Sequence, residues 1–412
     1  MKYIEKNADI NSIIISSCYM PSTGRKSEMD YLKILCDLIA MDTSVPPGNN
    51  YKITVDYLEP LFQKAGFETR KIAIPPADAE GREGRVNLVC HRRAGGKQRL
   101  IFYAHIDVVP AQGWRAFEPR IENGKIYGRG AADMKGAIPA LLTALERVKD
   151  RELSYDVSVM VTTDEEYSQA SQLRYLSQFL QPLKRAYIFD LDSSFGYVSI
   201  AGLGALQMDI RVLGKSVHSG LSHLGENAVE KATQVADALM KLKEQVIQRK
   251  SRISAHPDTG LDQMVARLNI NMVHGGLKVN IIPDECVISV DRRLIPEENI
   301  SNARKEIIET LAQVKDVRWE IVREFSIPTV PPCEDPITDK LDRILREVTG
   351  KGGKFGEMGS GDLANIVVNE WGGKEFGLGV IRPDNNIHGA NEFVYQKDIE
   401  DLADIIYRFL TD

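Results

Sequence analysis

From Met29 onward the apolar positions change period several times, and each change marks an element. Leu32, Leu35, Cys36 and Ile39 share one helical face, and Ser44-Val45-Pro46-Pro47-Gly48 ends that segment. A second helix is expected over 55–65, closed by Gly66. Strand patterns follow at 69–74 and 86–90, separated by a charged loop over 78–85. The runs at 100–103 and 157–161 are apolar without alternation, which predicts strands buried on both faces. Between them Ile138, Leu141, Leu142, Leu145 and Val148 recur at helical spacing, with Pro139 in the first turn, where its missing N–H costs little. A polar helix to about Leu180 and a strand over 186–189 continue the alternation, which predicts an α/β sheet.

Near Leu203 the pattern changes. Residues 206–212 alternate as a strand with one wet face, and 227–246 form a long amphipathic helix carrying Ala228, Ala232, Val235, Leu239 and Leu242. Strands over 266–272 and 285–291, a helix over 300–314 and a strand over 317–322 complete a β-α-β-β-α-β order, that of a ferredoxin-like α+β insert. Pro-rich residues 328–336 mark the return to the first domain, and a C-terminal helix with Ile399, Leu402, Ile405, Ile406 and Phe409 closes its core. The chain therefore divides into an N-terminal extension (1–28), a first catalytic segment (29–203), an inserted lid (204–326) and a second catalytic segment (327–412).

Composition narrows the function. A length of 412 residues suffices for two domains, and a net charge of -6 gives no electrostatic case for nucleic acid or an anionic membrane as partner. Five cysteines without a CxxC pair fit a reducing compartment, no apolar run approaches membrane-spanning length, and Ile13-Ile14-Ile15 is too short for a signal core. Cytoplasm is the expected location.

Three dense patches carry the chemistry. His105 and Asp107 stand two apart where the strand at 100–103 ends, so their side chains leave on one side, as a metal ligand and its orienting carboxylate do. Asp133 follows the glycine-rich run Tyr127-Gly128-Arg129-Gly130. Thr162-Thr163-Asp164-Glu165-Glu166 brings two adjacent acids to the end of the next strand, one suited to a metal and the other to a proton. Asp190 and Asp192 end a further strand, so acids return repeatedly to one sheet edge. One imidazole with several carboxylates points to a hydrolytic metal site. A mixed set of this kind admits zinc, cobalt or manganese.

With these motifs in order, the chain from about Met29 resembles the zinc-dependent M20 family of deacylases and exopeptidases. The resemblance implies a mixed-sheet zinc-exopeptidase-like catalytic domain with an inserted ferredoxin-like dimerisation lid, and two zinc ions. His105, Asp133, Glu166, Asp192 and His388, the last in Ile387-His388-Gly389-Ala390-Asn391-Glu392, match the metal ligands. Asp133 matches the bridging carboxylate, often followed by a cis peptide in the family. Asp107 matches the residue that orients His105, and Glu165 the general base. Asp192 is shorter than the Glu common there, and Asp190 stays open as the alternative. Arg129 and Lys135 are read as structural or field-setting.

From the insert, His218 in Gly214-Lys215-Ser216-Val217-His218-Ser219-Gly220 matches a residue that reaches a dimer partner's site to stabilise an oxyanion. Asn280 and Arg293, with Gly361 in Gly359-Ser360-Gly361-Asp362, match positions that grip a substrate carboxylate. Arg293 has a second reading, an ion pair with Asp291 or Glu285; His218 has one as a surface residue. The implied activity is deacylation of a small N-acyl amino acid by a homodimer, resembling acetylornithine deacetylase or succinyl-diaminopimelate desuccinylase. The alternatives are an exopeptidase acting on short peptides and a non-catalytic binding protein on the same fold.

Overall fold

The computed structural model describes residues 29–412 apart from 96, 97, 182, 360, 362, 364 and 365. The extension at 1–28 lies outside the described residues, as do Ser360 and Asp362 of the glycine-rich turn. Helix α1 (Tyr31–Ala40) starts where the Asp30 carboxylate accepts from the Lys33 N–H, a side-chain N-cap, and buries Ile34, Leu35, Leu38 and Ile39. Helix α2 spans Tyr51–Lys64, four residues earlier than its pattern suggested, because Tyr51 and Thr54 in its first turn are also buried. Strands β1 (Glu68–Ala73), β2 (Val86–Arg92) and β3 (Arg99–His105) follow, then a short β4–β5 hairpin (Arg120–Glu122 and Lys125–Tyr127). Helix α3 (Ala137–Arg147), β6 (Asp156–Thr162), α4 (Ala170–Ser177), β7 (Tyr187–Asp190) and β8 (Val198–Gly202) complete this stretch.

The next unit contains β9 (Gly204–Leu213), the two-residue β10 (Val217–His218), α5 (Ala228–Val246), β11 (Arg267–Gly275), β12 (Ile281–Ile282), β13 (Glu285–Leu294), α6 (Ile300–Ala312) and β14 (Arg318–Ile327). Its main sheet has the order β11-β13-β9-β14 with every neighbouring pair antiparallel, the ferredoxin-like arrangement expected. Strand β14 runs five residues past its predicted end; a register shift between Ile321 and Arg323 breaks the alternation that would have revealed it. The chain then returns through α7 (Pro336–Thr349), β15 (Lys354–Glu357), β16 (Lys374–Gly377), β17 (Phe393–Tyr395) and α8 (Gln396–Thr411).

The large sheet has the order β1-β2-β6-β3-β7-β16-β8-β15. Strands β6, β3, β7 and β16 run parallel, so their C-terminal ends share one edge, and the antiparallel β1 and β2 make the sheet mixed. Strand β3 shows why a continuous apolar run belongs here. Leu100, Phe102 and Ala104 enter the core under α1, α2, α3 and α8, while Ile101 and Tyr103 enter the core on the opposite face with Leu173 and Leu176 of α4. Phe102 stacks on Phe189 at 5.1 Å between ring centroids. Strands β8, β15 and β16, four or five residues each, are too short to carry a readable period and were not foreseen.

Candidate active site

Each chemical side chain stands just past a parallel strand. His105 closes β3, Glu165 and Glu166 follow β6, and Asp190 and Asp192 follow β7, its neighbour. Asp133 arrives on a distorted turn before α3. Gly130 opens that turn at φ +80°, where a Cβ would stand 2.7 Å from Val108, so both conformation and space call for glycine. Asp133 itself has non-helical torsions, and the Asp133–Met134 peptide is cis, as the resemblance implied. His388 sits in a left-handed conformation (φ +60°) in the loop before β17, at the exposed rim.

Two ligand groups meet at Asp133. Its Oδ1 lies 3.4 Å from His105 Nε2, which is also 3.6 Å from Asp192 Oδ2; its Oδ2 lies 3.0 Å from His388 Nε2, itself 3.0 Å from Glu166 Oε2. Donor atoms of His105, Glu165 and Asp192 gather within 4.8 Å of one another, as do those of Asp133, Glu166 and His388. Tetrahedral zinc with bonds of about 2.0–2.1 Å separates its ligands by roughly 3.3 Å, so the spacings fit. His105 Nε2 is buried and has no hydrogen-bond partner among the described residues, as suits a nitrogen kept for a metal. Asp192 belongs to the first group; Asp190 belongs to neither, and instead accepts the Asp192 N–H at 2.9 Å.

Burial and crowding set the electrostatics. Burial pushes the Glu165 carboxyl well above the usual range; His105 opposes the rise, while Asp192, Glu166 and Asp107 add to it. Burial likewise raises Asp192, with Asp133 adding repulsion, and raises Glu166 against the hydrogen bond from His388. For Asp133 burial acts upward too, but the flanking His105 and His388 outweigh it and hold the carboxyl low. Asp133 and Glu166 raise the His388 imidazole to about 10. A buried set of acids with two imidazoles at its ends is a donor set that a pair of dications would neutralise.

Supporting contacts hold the ligands. His105 Nδ1 is 3.1 Å from the Asp107 backbone oxygen and 3.5 Å from its Oδ1, so the nearer partner is the carbonyl rather than the expected carboxylate. Asp107 Oδ2 accepts the Glu166 N–H at 3.0 Å, which ties the two ligand loops together. Glu392 Oε1 accepts the N–H groups of Ala132 and Asp133 at 3.0 and 3.2 Å, and its Oε2 takes Arg129 Nη1 at 2.6 Å. Arg129 also donates to the His388 carbonyl at 3.1 Å. The buried Arg129–Glu392 pair therefore fixes the Asp133 turn to the His388 loop, a role that only its membership of the last motif hinted at. Asp164, beside the proposed base, accepts from Tyr51, Arg82, Arg85 and Gln172 at 2.8–2.9 Å. Lys135, read as structural, donates to the carbonyls of Leu38 and Met41.

A cavity of about 330 Å³ opens from this cluster, with Asp133, Glu165, Asp192 and Gly361 in its wall. A Cβ built on Gly361 would stand 3.6 Å from Glu165 Oε1, so the turn lies beside the proposed base. The insert residues do not join the cluster within one chain. His218 is exposed, accepts the Gly220 N–H at Nδ1, and precedes Ser219, whose N–H donates to the Asn280 carbonyl. Arg293 forms the ion pair weighed for it, with Asp291 at 2.9 Å. His218, Asn280 and Arg293 are all absent from the cavity wall.

The model of the peptidase family M20/M25/M40 matches residues 101–412. The succinyl-diaminopimelate desuccinylase of Marinobacter nauticus is 24% identical over 346 residues, covering 80% of this chain and 88% of its own. Among solved structures, an M20 family metallo-carboxypeptidase from Sulfolobus solfataricus superposes with a TM-score of 0.72 at 16% identity, covering 92% of this chain and 98% of its own. Aminopeptidase PepT from Bacillus cereus gives a TM-score of 0.70 at 18% identity, with coverages of 92% and 97%.

Proposed function

Because the chain belongs to the peptidase family M20/M25/M40 and is a metal-dependent hydrolase, we propose that it cleaves an amide bond next to a free carboxylate by removing the acyl group of an N-acyl amino acid. The observation that carries this reading is the Asp133 carboxylate, whose two oxygens face His105 and His388 separately. His105 and Asp192 hold one zinc ion, Glu166 and His388 the other, and Asp133 both; cobalt or manganese suits the same donors. Bound there, the two cations supply Lewis acidity and lower the pKa of a water between them toward ~7. Asp107 keeps the His105 ring oriented. Glu165 takes a proton from the attacking water at a carboxylate oxygen and passes it to the leaving nitrogen. Gly361, Asn280 and Arg293 grip the substrate carboxylate, Arg293 by exchanging Asp291 for it. His218 donates to the developing oxyanion from the partner subunit.

A second reading, an exopeptidase acting on short peptides, draws on the Asp at position 192 and on the peptidases that share the fold. A panel of N-acetyl and N-succinyl amino acids and dipeptides separates the two. At least one class is expected to be hydrolysed, to lose turnover on chelation, and to regain it with zinc. Absence of hydrolysis with zinc, cobalt and manganese alike would refute both readings.

The homodimer is supported by exposed apolar side chains on the insert. Met272 and Val273 lie on the edge strand β11, Met240 on the adjacent α5, and Leu277 and Val279 on the following loop are almost fully exposed. Val273→Glu is expected to raise the dimer dissociation constant at least tenfold, about 1.4 kcal/mol, and to lower turnover with it. Sedimentation equilibrium reads this, and an undisturbed dimer would remove that face from the interface. Cytoplasmic residence is supported by the buried free thiols of Cys36, Cys90, Cys286 and Cys333. No helix among the described residues is long and apolar enough to cross a membrane.

A further inference from the structure

The cavity that begins at the proposed metal ligands continues past them to three further acids, Asp190, Glu357 and Glu375. Among the described residues its wall contains no Lys, Arg or His. Two dications at the paired ligand groups would balance Asp133, Glu165, Glu166 and Asp192, and leave these three without a counter-charge. Part of their capacity is spoken for: Asp190 Oδ1 accepts the Asp192 N–H, and Glu357 Oε1 accepts the Ser193 hydroxyl at 3.3 Å. Glu375 differs. It lies on β16, in the middle of the sheet, and its Oε2 is sealed from solvent with no hydrogen-bond partner among the described residues. A buried acceptor left unmade costs stability, and in a native site it marks a place for something else to bind. Burial alone pushes the Glu375 carboxyl up to about 7, in accord with a site that has no cation of its own.

The geometry points to a subsite for a cationic nitrogen of the substrate, an ammonium or guanidinium group held by Glu375 with Glu357 and Asp190 while the scissile amide lies at the metal ligands. This inference rests on the hydrolase reading above and deepens it by naming a substrate class. A third metal ion is not what the walls are built for, because the carboxylate oxygens of Asp190, Glu357 and Glu375 do not converge within the 4.8 Å that defines the two ligand groups. An organic cation is larger, carries its charge on several N–H donors, and can reach separated acceptors. Val330, Phe376 and Ile381 line the same cavity and offer apolar contact to a carbon chain leading to that nitrogen. The end that holds the acids repels a carboxylate, so the substrate's free carboxylate must lie elsewhere, in keeping with its assignment to Gly361 and the insert.

The nitrogen has two sources, the side chain of a basic amino acid or the α-ammonium of an unblocked peptide, and two matched pairs distinguish them. N-acetyl-lysine against N-acetyl-norleucine differs only in the side-chain ammonium; alanyl-alanine against propionyl-alanine differs only in the α-ammonium. With the zinc-loaded full chain, the cationic member of one pair is expected to exceed its neutral partner at least tenfold in kcat/KM. Glu375→Gln and, separately, Glu357→Gln should bring that ratio toward one. The same four compounds are titrated by calorimetry, which reads the subsite without turnover. Hydrolysis with ratios near one in both pairs, or ratios that neither variant alters, overturns the subsite and leaves the hydrolase reading standing. Tenfold tighter binding of a cationic member, lost in Glu375→Gln but accompanied by no hydrolysis, keeps the subsite and overturns the hydrolase reading. No turnover and no preference in binding overturns both.

Discussion

Glu165→Ala is expected to lower kcat by about 10³-fold or more, the upper part of the range for general acid–base catalysis, while the protein keeps two zinc ions per chain. The metal measurement matters because the Glu165 carboxylate lies within 4.8 Å of donor atoms of both His105 and Asp192 and has a rival role as a ligand. A base and a ligand fail differently. Loss of a base removes an interaction made in the transition state and leaves KM near its original value; loss of a ligand empties or weakens a metal position. The buried carboxyl is held above its ordinary range in the company of Asp192, Glu166 and Asp107, which suits a group that must both accept and return a proton. Steady-state kinetics with metal analysis on the same preparation decide the matter. Turnover at the parent rate would remove Glu165 from the chemistry, and loss of zinc would make it a ligand.

Asp164→Ala is expected to cost about 3–5 kcal/mol of unfolding free energy, the range for removing one partner of a buried ion pair. Asp164 is fully buried and accepts from two guanidinium groups, a phenol and an amide. Without it Arg85, only 6% exposed, loses its carboxylate partner. Asp164 also occupies a left-handed conformation (φ +65°), so the network holds the strained turn that leads into Glu165. Asp164→Asn keeps an acceptor and the shape, and is expected to cost less. Denaturant unfolding followed by circular dichroism measures both; a loss below about 1 kcal/mol for the alanine variant would mean that the two arginines find other partners.

The elements that carry the ligands were legible in the sequence because each announces itself locally. A strand buried on both faces is a continuous apolar run, so the ends of β3 and β6 could be read directly, and with them His105, Glu165 and Glu166. Gly130 marked the turn before Asp133 for the same reason: few residues tolerate its torsion. The insert's topology followed from alternation and helical period. What stayed hidden acts across long separations or in short elements. Arg129 and Glu392 are 263 residues apart, and nothing in either neighbourhood names the other. Arg82 and Arg85 sit in a stretch that reads as a solvated charged loop, yet both turn inward to Asp164. Glu375 lies in a four-residue strand with no period, so its burial could not be foreseen. Arg293 and His218 illustrate the remaining case: their motifs were visible, but a single chain shows only the ion pair of one and the exposure of the other.

Anomalous scattering at the zinc edge, from crystals grown with zinc, tests the paired metal site most directly. Two peaks roughly 3.5–4 Å apart are expected, one between His105 and Asp192, the other between Glu166 and His388, with Asp133 bridging them. A single peak, or peaks that leave Asp133 bound to only one ion, would contradict the two-metal site.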